Sequence, residues 1–262
     1  MQDAGTYLER MRATAPLVQN ITNYVAMNVM ANVMLAAGAS PAMVHAREEA
    51  AEFAGIAQAL SVNIGTFDPD WLIAMEAAAG MMNAAGKPWV LDPVAVFATS
   101  LRRDAGVRLL ALNPSVIRGN ASEIRALAGS EAMGQGADAG DSVASAEAAA
   151  RVLAQRTGGV VAVTGAVDYV TDGVLGYRVM NGHEWMPKVT ALGCALTGLV
   201  AAFAVGQARL ESTVAALAFY GLAAEQAAEA ARGPGSLAVG LIDALHGMTP
   251  RRLTAGARVA AA

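Results

Sequence analysis

"SVIRGNASEI", Ser115 to Ile124, changes its periodicity half-way along. Val116 and Ile117 open a short apolar run of the kind that buried strands show. Asn120 then stands where a helix N-cap is expected, with Glu123 at the third helical position, which is the spacing of a capping box. A strand that passes directly into a helix is half of a βαβ unit, so the reading of the chain depends on whether its neighbours repeat the pattern.

They do. "PLVQNI", "PAMV", "ALSVNIG", "WVLDPV" and "VVAVTG" are further short apolar runs ended by polar or turn-forming residues. Alanine-rich helical stretches lie between them: Asn23–Ala37, Asp70–Ala85, Ser100–Leu112 and Ser142–Arg156. Near-continuous apolar strands alternating with helices predict a mostly parallel sheet covered on both faces, a three-layer α/β/α fold. After Thr164 the rhythm changes. "YVTDG" and "VLGYRV" read as a hairpin turning at Asp172-Gly173, an antiparallel addition to the sheet. From Gly193 onward the pattern is helical, and the alanine-rich tail after Pro250 reads as loosely held. No linker or repeat divides the chain, so residues 1–262 are expected to form one domain.

Composition narrows the function. Of 262 residues 55% are hydrophobic and only 5% aromatic, with thirteen methionines, which suits tightly packed helices around a sheet. A formal charge of -4 with no basic block lacks the electrostatic footprint of a nucleic-acid binder. The single cysteine rules out an internal disulfide and a multi-cysteine metal site, consistent with a reducing compartment. The N-terminus has no cationic start followed by an apolar core, and the long apolar stretches are broken by Asn28, Asn32, Gly38 and Pro41 or by Arg209 and Glu211. A cytoplasmic, small-molecule protein without a membrane span is expected.

In an open parallel sheet, ligands bind outside the carboxyl ends of the strands. The polar residues at those ends are Asn20 and Asn23, Met43 with His45, Asn63, Asp92, Arg118 with Asn120 and Glu123, and Thr164 with Gly165. Asp92 is a rim carboxylate able to hold Mg²⁺ directly or through water, or else a loop cap. Arg118 suits a triphosphate; Asn120 and Glu123 either position a hydrated metal or simply close the capping box. "TALGCALTG" opens a helix, and a glycine-containing lead-in such as Gly193 makes its free N–H groups an anion site, or is an ordinary turn. There is no G-x-x-x-x-G-K-[ST] loop, no early G-x-G-x-x-G and no G-x-S-x-G elbow, and the three histidines are far apart. A serine hydrolase, a dehydrogenase and a zinc enzyme are therefore poorly supported.

Taken in order, "NITNYVAMN", "GASPAMVHA", "NIGT", "VLDPV", "IRGNASEI", "VAVTGAVDYVTDG", "NGHEWMPKVT" and "GCALT" resemble the hydroxyethylthiazole kinase family of the ribokinase-like superfamily, from about Pro16 to His246. The resemblance implies transfer of the γ-phosphoryl group of ATP to 4-methyl-5-(2-hydroxyethyl)thiazole, with Mg²⁺, in a homotrimer whose sites lie at subunit interfaces. It assigns Met43, Ala191 and Asn23 to the thiazole, Arg118, Thr164 and Gly193 to ATP, and Asp92 and Glu123 to the magnesium site. Cys194 falls where ribokinase relatives carry a catalytic aspartate, and a thiol at a helix N-terminus is expected to have a lowered pKa. One departure stands out. The family reads "KVTGTGC" or "KVTGAGC", and this chain reads "KVTALGC". Ala191 is harmless there if its φ is negative and costly if it is positive, while Leu192 is expected to narrow the phosphate pocket. Two alternatives remain at this level: a related kinase for hydroxymethylpyrimidine or pyridoxal, and a degenerate kinase that binds without catalysis.

Overall fold

The computed structural model describes residues 3–129 and 143–262. Within them the parallel strands are β1 (Leu17–Ile21), β2 (Ser40–Ala42), β3 (Ala59–Asn63), β4 (Trp89–Asp92), β5 (Val116–Asn120) and β6 (Val160–Thr164). The helices between them are α1 (Ala4–Thr14), α2 (Met27–Ala37), α3 (Ala50–Ile56), α4 (Pro69–Ala84), α5 (Ser100–Leu110), α6 (Ala121–Ala128) and α7 (Val143–Thr157). The chain continues through β7 (Asp168–Thr171) and β8 (Gly176–Val179), then α8 (Leu192–Phe203), α9 (Arg209–Ala230), α10 (Pro234–Gly247), α11 (Pro250–Gly256) and β9 (Val259–Ala261). The strands form one sheet in the order β2-β1-β3-β4-β5-β6-β7-β8-β9, parallel through β6 and antiparallel beyond it.

Alternation along each strand divides the core into two layers. Val90, Val116, Val160 and Ala162 face one cluster with α1, α2, α8, α9 and α10. Leu91, Ile117, Val161 and Val163 face the other, with α3 to α7. The three-layer expectation is met. Arg12 of α1 ties the first layer together: Nε donates to the Ala37 carbonyl at 2.9 Å, Nη1 to Met248 at 2.6 Å and Nη2 to Leu245 at 2.8 Å. One guanidinium thus satisfies orphan carbonyls at the ends of two helices, where a cation is favoured.

The expected hairpin is present. Asp172 accepts N–H groups from Val174 and Leu175, which closes the turn between β7 and β8. The structure differs from the sequence pattern at several element ends: α4 runs Pro69–Ala84 rather than Asp70–Ala85, and α5 stops at Leu110 rather than Leu112. The helix expected from Asn23 begins at Met27, because the Asn23 side chain accepts the Ala26 N–H and holds residues 23–26 as a turn. The helix expected from Ser142 is described from Val143 to Thr157, Ser142 itself lying outside the described residues. The tail is not loose: α11 is N-capped by Thr249, and β9 pairs with β8 while Arg258 binds Glu225 through two nitrogens. Alanine-rich composition hid both elements. The short α3 is also absent from the sequence reading.

Candidate active site

The parallel register sets the site. Asn63 and Asp92 are facing partners at the ends of β3 and β4, and Asn120 faces Thr164 at the ends of β5 and β6. Arg118, two residues before the end of β5, crosses toward both neighbours: Nη2 donates to Thr164 Oγ1 at 2.8 Å and Nη1 to Asp92 Oδ2 at 3.4 Å. Its Nε is buried without a partner. A Cβ placed on Gly193 would stand 3.0 Å from Nη2 of this guanidinium and would press on it, so glycine suits the close approach of the start of α8. Two sources of positive potential, a guanidinium and a helix N-terminus, therefore converge on one spot, an arrangement that favours an anion.

Asp92 is fully buried. Its Oδ2 accepts from Asn63 Nδ2 at 2.8 Å, Thr197 Oγ1 at 2.9 Å and Arg118, whereas Oδ1 is buried with no partner. Burial pushes its pKa up; Arg118 opposes this and the charge of Glu123 adds to it. Asp92 is a carboxylate inside the site floor rather than an exposed rim group.

Cys194, in the first turn of α8, receives a hydrogen bond from Asn23 Nδ2 at 3.3 Å, and the same nitrogen donates to Asn63 Oδ1 at 2.8 Å. The lowered thiol pKa expected from the helix end is overturned. Burial first and the negative charge of Asp92 second push the thiol up, outweighing Asn23 and Arg118. The helix end is not the deciding influence because the thiol is largely removed from water and sits in the field of a carboxylate.

Glu123 forms the capping box: its N–H goes to Asn120 Oδ1 and its Oε2 takes the Asn120 N–H, both at 2.9 Å. Its Oε1 accepts the Ala95 N–H at 3.0 Å, fastening the loop after β4. The capping-box reading of Glu123 is thus met by its bonds, and its charge also acts on Asp92. Arg102 fastens the same region from behind, donating to the carbonyls of Ile64, Gly65 and Val94.

Asn23, Asp92, Arg118, Thr164, Gly193 and Cys194 are brought together. Met43 follows β2 at the far edge of the parallel section, half-buried against the first core layer. Ala191 is the N-cap of α8 with φ 66°, the left-handed value that makes alanine costly. Leu192 does not narrow a pocket: it is buried in the core, and its carbonyl accepts from the Tyr220 hydroxyl at 3.1 Å. Ala191→Gly is expected to stabilise the protein by about 1 kcal/mol in denaturant unfolding, since it relieves a strained φ.

The sequence reading missed Thr197, which lies one turn beyond Cys194 on α8 and whose i, i+3 spacing was the available signal. It also missed Asp168, half-buried at the start of β7, where Oδ1 accepts the Gly165 N–H at 2.9 Å. Burial pushes the Asp168 pKa to about 7, against the opposing effects of Gly165 and Arg118. The sign follows from linkage. An acid with a raised folded-state pKa is fully compatible with folding below its ordinary value, and its contribution is lost as pH rises from about 4 to 7. Asp168→Asn keeps an acceptor for Gly165 and escapes that loss, so its melting temperature should match the parent at pH 4 and exceed it at pH 8. About 2 kcal/mol is expected after allowing for solvent screening at a half-buried group. A gap that does not change with pH would refute this assignment.

Residues 8–251 match the model of the hydroxyethylthiazole kinase family. The chain belongs to that family. It is 66% identical to a hydroxyethylthiazole kinase of Cereibacter sphaeroides over 100% of both chains. Among solved structures it is similar to the hydroxyethylthiazole kinase protein of Pyrococcus horikoshii OT3, with TM-score 0.91 and 41% identity over 99% of this chain and 98% of that one. A pyridoxal kinase of Staphylococcus aureus in complex with ADP matches at TM-score 0.58 and 16% identity over 78% of this chain and 86% of that chain, a likeness of fold alone. The ribokinase-like α/β architecture expected from the sequence is thus met by a hydroxyethylthiazole kinase-family member. No helix among the described residues is long and apolar enough to cross a membrane.

Proposed function

We propose that this chain transfers the γ-phosphoryl group of ATP to the hydroxyl of 4-methyl-5-(2-hydroxyethyl)thiazole, a step of thiamine biosynthesis or salvage. The observation that carries the reading is the convergence of Arg118, Gly193 and the α8 N-terminus on one anion-favouring position next to Cys194 and Asp92. Phosphoryl transfer depends mainly on aligning donor and acceptor and on neutralising charge that spreads over the transferred group. Arg118 and the free N–H groups of α8 serve the second need. Met43 offers a soft, polarizable wall to a sulfur heterocycle.

The residues fit a magnesium ion carried with the nucleotide. Mg²⁺ is characteristically held by one or two carboxylates together with water and phosphate oxygens. Asp92 has a buried oxygen with no partner, and Glu123 already acts electrostatically on it. Among the described residues no group of three or more His, Cys, Asp or Glu is placed to hold a metal. When bound, the ion would offset phosphate charge. We further propose a homotrimer with sites at subunit interfaces, a reading supported by the exposed Tyr24 and Val25 directly beside Asn23, and a cytoplasmic location.

The test is ADP production with Mg²⁺ and ATP across a panel of hydroxyethylthiazole, hydroxymethylpyrimidine and pyridoxal. Turnover with the thiazole above the other two is expected; a preference for pyridoxal would sink the assignment, and thiazole binding without ADP would favour a degenerate kinase. Cys194→Ser is expected to lower kcat roughly tenfold without abolishing it, because a loose transition state demands little proton removal before transfer. Cys194→Asp should remain active. Complete loss in both would make the thiol essential rather than helpful.

A further inference from the structure

Asn63 ends β3 in register with Asp92, is fully buried, and has both ends of its amide committed. Nδ2 donates to Asp92 Oδ2 at 2.8 Å. Oδ1 accepts from Asn23 Nδ2 at 2.8 Å and from the Gly65 N–H at 2.9 Å. The two ends cannot be exchanged: a flipped amide would set a nitrogen against two donors and an oxygen against a carboxylate. Because Asn23 Nδ2 also reaches Cys194 Sγ, a continuous chain of polar contacts runs from the thiol on α8 through the loop after β1 to the carboxylate on β4. A Cβ on Gly65 would stand 2.8 Å from Asn23 Nδ2, so the loop after β3 is itself pressed against this chain.

We propose that Asn63 is a positioning residue that fixes Cys194 and Asp92 relative to each other, so that the thiol beside the acceptor hydroxyl and the carboxylate beneath the anion position keep one arrangement. The proposal rests on the phosphoryl-transfer reading above. Asn63 has both ends of its amide bonded to three different partners, and a buried group tied in this way can take up one geometry only. Thr197 completes the device from the helix side. Its hydroxyl donates to the same Asp92 oxygen that Asn63 and Arg118 use, which leaves Oδ1 as the free atom and fixes which way the carboxylate is turned.

The chain contains one cysteine, so alkylation by iodoacetamide reports on Cys194 alone and needs no turnover. Asn63→Asp keeps the size of the side chain and the oxygen facing Asn23 and Gly65, but replaces the donor to Asp92 with an oxygen. In this variant kcat is expected to fall about thirtyfold, with KM for ATP and for the thiazole within about threefold of the parent. The alkylation rate at fixed pH should change by at least about threefold, because the contact to the sulfur is displaced with its support. Asn63→Ser, smaller and uncharged, should show the same two shifts and covers the case in which the aspartate variant does not fold. Thr197→Val should lower kcat about tenfold, with Thr197→Ser restoring it.

A folded Asn63 variant with kcat and alkylation rate both unchanged would overturn the proposal. So would a fall in kcat with unchanged alkylation, which would confine Asn63 to Asp92. If the parent phosphorylates none of the candidate alcohols, the functional reading fails, yet the alkylation comparison still decides the role of Asn63.

Discussion

Asp92→Asn is expected to lower kcat about a thousandfold while the protein melts at the same temperature or a higher one, a split between activity and stability that few buried substitutions produce. The reason is in how the carboxylate is held. One oxygen takes Asn63, Thr197 and Arg118, and the other is buried with nothing to accept. A charge with an unpartnered oxygen is costly to bury, which is why its pKa lies above the ordinary aspartate value. Asparagine can present its oxygen to the three donors and its nitrogen where Oδ1 stood, so the hydrogen bonds survive and the charge penalty goes. What is lost is the negative charge that, on the proposed reading, would meet a nucleotide-borne cation, together with the field it exerts on the site. Steady-state kinetics and calorimetry on one preparation decide the matter. A loss in kcat of less than about tenfold would remove Asp92 from the reacting centre, and a large fall in melting temperature would show that its charge supports the fold.

The same contrast explains what could be read from the sequence. Strand runs such as "WVLDPV" and "VVAVTG" declare themselves because a strand buried on both faces must be apolar throughout, and their polar ends then mark the ligand edge. Asp92, Arg118 and Thr164 were legible in this way, whereas Cys194 was marked by the glycine-containing start of a helix and by the family resemblance. Asn63 stood in the same set but without its role, because its significance lies in contacts to Asn23 and Asp92, partners 40 and 29 residues away. The φ of Ala191 was equally out of reach. A local pattern tells that glycine would be easy there, but only the path of the chain from Lys188 into α8 fixes the left-handed value. The tail was misread for a different reason: "RVAAA" has little strand character of its own, and its pairing with β8 and the Arg258–Glu225 bridge supply the order. The thiol pKa failed because helix position is a local cue, whereas burial and a neighbouring carboxylate are set by the fold.

Arg118→Leu is expected to be the most damaging single change at the site, because one side chain has both a structural and a chemical duty. It is the cation facing a fully buried carboxylate, and its own side chain is only 12% exposed. Removing the guanidinium leaves a fully buried carboxylate uncompensated, and about 3 kcal/mol of stability should be lost at neutral pH; the reverse change is milder, because Arg118 keeps some contact with water and its bond to Thr164. The guanidinium also supports Thr164 and faces Gly193, so the anion position loses its cation and kcat/KM for ATP should fall at least about a thousandfold. The two duties separate in the double variant. Arg118→Leu/Asp92→Asn no longer buries an unpaired charge and should regain most of the lost stability, whereas activity should stay at or below the level of the weaker single variant. That outcome requires a coupling energy between the two positions of about 2 kcal/mol in unfolding experiments. If the two stability effects instead add, Arg118 does not compensate Asp92, and the guanidinium belongs to the nucleotide alone.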